Sequence, residues 1–131
     1  MTTKEDLLAY VKNKMELHDN NPEAKPIFAL YLFENPDKEL VSKDGKHLGW
    51  PDTGNSYEPG FYHNLDWAIE AMNQNAGDIR ETCYDAGFIL CRFPGLYDGV
   101  TTNARMYFVW NNEKQGFFQQ EEPAIFEHIA Y

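Results

Sequence analysis

The chain has 131 residues and a mass of 15.2 kDa, the size of one domain. It is 43% hydrophobic and 15% aromatic, which excludes a disordered or collagen-like chain. Eleven basic residues face 21 acidic ones, a formal charge of −10 with a sequence pI near 4.7, so a general electrostatic grip on nucleic acid or on anionic membrane is not expected.

The first predicted element is a helix over 4–18. Thr3 is an N-cap candidate with Asp6 three residues on, a capping box with Asp in place of Glu. Leu7, Leu8, Val11 and Met15 recur at helical spacing, and Asp19-Asn20-Asn21-Pro22 ends the run. IFALYLFE, 27–34, is nearly continuously apolar and β-rich, which predicts a central strand covered on both faces. Asp44-Gly45 predicts a hairpin between two short strands, and residues 51–60 form a loop rich in turn residues. After Phe61-Tyr62-His63, Asn64 caps a helix that runs on to a stop at Gly77. DIRETCYD reads either as a helical turn or as a second short helix. AGFILCRF (86–93), ARMYFVW (104–110) and GFFQQ are strands. Pro123 opens a last short helix. The order predicts a single α+β domain over 1–131, mostly antiparallel sheet packed by two or three helices, with the first helix appended.

No run of about 18 apolar residues exists to span a membrane, and the charged N-terminus has no signal-peptide core. Cys83 and Cys91, eight apart on an extended stretch, would lie roughly 26 Å from each other, too far for a disulfide. Both thiols are expected reduced in the cytoplasm, with Cys91 a small core residue.

The motifs GxGxxG, GxSxG, CxxC and HExxH and the P-loop are all missing. His18, His47, His63 and His128 show no metal-ligand spacing, so neither cofactor nor metal is expected, and no residue is assigned a catalytic role. His63 stands where a strand gives way to a helix, beside Asn64 and Asp66, which reads as a local capping contact or a presented functional group. A Cys83–His63–Asp66 set is conceivable, but nothing in the sequence brings the three together.

The carboxylates carry more. Residues 1–50 hold nine acids and seven bases, a balance of −2; residues 51–131 hold twelve and four, a balance of −8. Glu70, Asp78, Glu81 and Asp85 recur at spacings of eight, three and four. On a helix continuing from 66 to 85, the last three would form one acidic stripe. Such a stripe is either a solvated face or a surface for a basic groove on another protein. Trp50, Tyr57, Phe61 and Tyr62 flank the turn-rich loop, as interface anchors or as rings that fold back to seal the sheet.

The segments NQNAGDIRETCYDAGFI, FPGLY, FVWNNEKQGFFQQEEP and FEHIAY, spread over residues 27–131, resemble a group of small uncharacterised proteins carried by phages and other mobile elements of Gram-positive bacteria. Asp78, Ile79, Glu81, Tyr84, Pro94, Gly95, Leu96, Tyr97, Trp110 and Gly116 fit that group's pattern. The resemblance implies a context, that of proteins which bind host machinery, some by mimicking the charge of nucleic acid. The leading expectation is therefore a non-enzymatic, acidic, partner-binding protein. It would inhibit a host nucleic-acid-handling or defence complex, of anti-CRISPR or anti-restriction type, through Glu70, Asp78, Glu81, Asp85, Trp50 and Tyr57. The alternatives are a small-molecule binder or enzyme with an aromatic pocket near Trp50, Tyr57, His63 and Glu81, and a protein that self-assembles through a strand edge. Monomer and dimer are both compatible with the sequence.

Overall fold

The computed structural model describes residues 1–17, 25–33, 57–75, 79, 84–94 and 104–123. Helix α1 spans Lys4–Leu17. Strand β1 spans Ile27–Phe33, β2 Phe61–Tyr62, β3 Ala86–Arg92, β4 Arg105–Asn111 and β5 Gly116–Gln119. Helix α2, Leu65–Asn73, lies between β2 and β3 in the chain. The strands form one sheet in the order β2-β1-β3-β4-β5, with every pairing antiparallel. This is the expected α+β domain. The predicted hairpin around Asp44-Gly45 and the terminal helix after Pro123 lie outside the described residues.

The capping box closes as the sequence predicts. The Asp6 amide donates to Thr3 Oγ1 at 3.1 Å, and the Thr3 amide donates to an Asp6 carboxylate oxygen at 2.9 Å. Two orphan amides of the first turn are thereby satisfied, and a carboxylate sits at the positive end of the helix. These hydrogen bonds hold the Asp6 carboxyl below its ordinary 3.8.

Alternation along the strands sorts side chains onto two buried faces. One face carries Phe28, Leu30, Leu32, Ile89, Cys91, Met106, Phe108 and Phe117. Against it pack Leu7 of α1, Ile79, and Leu65, Ala68, Ala71 and Met72 of α2. The first helix thus contributes to the main core, with Leu7 fully buried. The other face is aromatic. Phe88 lies 5.5 Å from Phe33 and 5.4 Å from Tyr107, within the range of favourable ring contacts. Burial on both sides explains why IFALYLF shows no polar alternation although its sheet is antiparallel.

Helix α2 is shorter than the sequence predicts. It ends at Asn73, and Asn75 takes a left-handed φ of 58°. Asparagine tolerates that conformation better than most residues, so the chain turns two residues before Gly77. Asn73 also turns its side chain to the sheet. Its Oδ1 accepts the Phe117 amide of edge strand β5 at 2.8 Å. An amide that would otherwise be open to edge-to-edge pairing is satisfied within the chain, which weakens the strand-edge route to self-assembly.

At the start of α2, Asn64 Oδ1 accepts the amides of Asp66 at 2.8 Å and Trp67 at 3.2 Å. Asn64→Ala should cost about 1 kcal/mol in urea unfolding. A change under about 0.3 kcal/mol would show that tertiary packing alone sets this helix start.

Candidate functional site

Helix α2 presents a polar and aromatic face to solvent. Its buried side is Leu65, Ala68, Ala71 and Met72, packed on the sheet. At roughly 100° per residue, positions 66, 67, 70 and 74 fall together on the opposite side. Asp66 and Glu70 are exposed there, and Trp67 keeps 59% of its surface in solvent. Gln74 Nε2 donates to Glu70 Oε1 at 2.7 Å. Lys4, from the first turn of α1, forms an ion pair with Asp66. Of the expected site residues, Glu70 therefore stands on an accessible surface. Trp67, which the sequence reading did not single out, stands beside it. Its signal was available: in LDWAIEAMN it falls on the polar side of the helical period.

The acidic stripe on a continuous helix does not form. Helix α2 stops at Asn73, and Asp85 itself is not helical. It is half-buried just before β3, and its backbone carbonyl accepts the Trp110 amide at 2.8 Å. Glu70 and Asp85 belong to different elements. Asp78 and Glu81 lie outside the described residues, as does Trp50.

Tyr57 is half-buried, and its backbone extends the sheet. Leu32 donates to the Tyr57 carbonyl at 2.8 Å, and the Tyr57 amide donates to the Leu32 carbonyl at 2.9 Å. Tyr57 and Tyr62 pack against the main core, so these two rings seal the sheet. Phe61, paired in register with Ala29, belongs to the other face of the sheet and is 65% exposed. His63 is exposed in the bend between β2 and α2. Cys83 lies outside the described residues, and Cys91 is fully buried in the core. Among the described residues, no group of three His, Cys, Asp or Glu could hold a metal ion.

A groove of about 620 Å³ lies elsewhere, between one flank of α1 (Asp6, Ala9, Tyr10, Asn13) and the segment after β5 (Glu121, Glu122), with Met1 and Thr2 at one end. Beside it is a charged pair the sequence reading missed. The Arg105 side chain has no solvent exposure, lies 5.0 Å over the Phe88 ring, and forms an ion pair with Glu122 (Nη2 to Oε1, 2.5 Å). Burial pushes the Glu122 carboxyl above its ordinary 4.5, outweighing the pull of Arg105. The signal was an arginine opening an otherwise apolar strand, with Glu121-Glu122 soon after the next one.

The placement of charge is asymmetric. Eight of the ten described carboxylates are exposed, against three of the seven described lysines and arginines. Arg105 is buried, Lys4 is taken up by Asp66, and the Lys14 ammonium lies 5.7 Å from the Tyr10 ring and 5.4 Å from the Phe93 ring. Among the described residues most carboxylates face water, while Arg105, Lys4 and Lys14 are buried, paired or laid on rings. No helix among the described residues is long and apolar enough to cross a membrane. Comparison with protein-family models, with curated proteins and with solved structures gives no match to the chain.

Proposed function

We propose that this is a small acidic partner-binding protein that docks on a basic surface of a nucleic-acid-handling or defence complex and inhibits it, in the manner of an anti-CRISPR or anti-restriction protein of a phage or mobile element. The observation that carries the reading is the asymmetry of exposure: among the described residues most carboxylates face outward, while Arg105 is buried and Lys4 is paired with Asp66. A field of one sign accelerates encounter with the opposite sign and rejects nucleic acid itself. The small-molecule alternative draws less support, because Tyr57 is engaged in extending and sealing the sheet.

The test is affinity capture of the tagged chain from bacterial lysate at low and moderate salt, followed by activity assays on the captured complex. A nucleic-acid-handling complex retained at low salt, released as salt screens the contact, and inhibited in proportion to added protein is the expected result. Recovery of no such complex, or of one whose activity is untouched, would overturn the reading.

A further inference from the structure

We propose that the outward face of α2, with Trp67 flanked by Asp66 and Glu70, is the surface that holds the partner, and that its occupant is a lysine- or arginine-rich surface of a protein. This rests on the acidic partner-binding reading and adds where the contact is made and with what. Among the described residues the helix is anchored without Trp67, by four buried side chains and by the Asn64 cap. An indole largely in water costs solvation that burial against a partner would recover, and tryptophan is the residue most enriched among interface anchors.

The two carboxylates set the chemistry of the occupant. Single-stranded nucleic acid, which would otherwise suit an exposed ring, is repelled by Glu70 and by the chain's net charge of −10, Asp66 being paired with Lys4. A second copy of the chain would bring the same two carboxylates, and a further formal charge of −10, against this face. A cationic side chain meets neither obstacle. It can pair with Glu70 and lie over the Trp67 face in a cation–π contact. The chain itself seats an ammonium here, that of Lys4 on Asp66. The hydrogen bond from Gln74 holds the Glu70 carboxylate in place beforehand, which lowers the entropy cost of pairing.

The test uses the full chain labelled with ¹⁵N and a lysine–leucine peptide as probe at low salt. Shift changes should concentrate on residues 65–74 and on the Trp67 indole. Trp67→Ala and Glu70→Lys should each weaken binding by about tenfold or more. Both positions are exposed, so unchanged sheet resonances will show that the fold persists. Unaltered affinity in Trp67→Ala, or changes centred on Asp6 and Glu121, would overturn the α2 surface while leaving the acidic reading intact. Absence of binding would overturn both. Saturable binding of single-stranded DNA, or dimerisation, through residues 65–74 would overturn the choice of occupant.

Discussion

Gly87→Ala should destabilise the protein by about 3 kcal/mol, a loss on the order of 10 °C in Tm. Gly87 lies within β3, directly opposite Leu32 in the β1–β3 register. A Cβ built there would stand 2.5 Å from Leu32 Cδ2 and 2.8 Å from the Tyr31 carbonyl oxygen. The first obstacle is a side chain and can rotate away, though Leu32 is fully buried and has little room. The second is backbone of the neighbouring strand and can yield only if β1 and β3 separate, at the longest pairing in the sheet. The two parts can be told apart. In a Leu32→Ala background, Gly87→Ala should cost less than in the wild type, because one clash is gone, but still more than 1 kcal/mol, because the carbonyl remains. A cost below about 0.5 kcal/mol in the wild-type background would mean that the sheet adjusts and that the close approach is not a constraint.

That constraint shows what the sequence made legible and what it did not. AGFILCRF announces a strand through its β-branched and aromatic residues, and its partners β1 and β4, with β5 beyond them, announce themselves the same way. Strand identity and the antiparallel α+β class follow from local composition, as does the Thr3–Asp6 box, whose three-residue spacing is itself the signal. Helix length does not. The stop of α2 depends on Asn75 accepting a left-handed φ, which competes with a glycine two residues on that looks the better terminator. The expected acidic stripe rested on α2 continuing to 85; α2 ends at Asn73, and Asp78 and Glu81 lie outside the described residues. The face of α2 was legible in principle, since the helical period places Trp67 with Asp66 and Glu70. The ring-rich loop carries the stronger aromatic signal, yet its Tyr57 extends the sheet beside β1 through its backbone. Asn73 with Phe117 joins residues 44 positions apart, which no local pattern encodes; for Arg105 with Glu122, 17 apart, the sequence marks an arginine in an apolar strand but not which carboxylate it meets.

The second large effect belongs to that buried pair. Glu122→Ala should cost about 3 kcal/mol, because it takes the carboxylate from a guanidinium that has no exposure to water. The intact pair need not be a net stabiliser. The Glu122 carboxyl is pushed above its ordinary value, so burial penalises its charge by more than Arg105 returns. Replacing both partners should therefore be milder than removing one: Arg105→Met with Glu122→Leu should recover more than half of the loss. The same balance fixes the sign of a pH effect. A carboxyl whose folded pKa exceeds its unfolded value of about 4.5 keeps its proton longer in the folded state. Its contribution is complete below 4.5 and is lost as pH rises through the folded value. Asp6 works in the opposite direction, since its folded pKa lies below 3.8, and its contribution is present above that value and lost as pH falls through the folded one. Urea midpoints measured across the acid range should then separate the two. Glu122→Gln should flatten the decline on the rising-pH side of 4.5, and Asp6→Asn should flatten the loss at the acid end. If Glu122→Gln leaves the slope above 4.5 unchanged, Glu122 titrates as a solvated carboxyl, and the cost of Glu122→Ala should shrink to that of a surface ion pair, under about 1 kcal/mol.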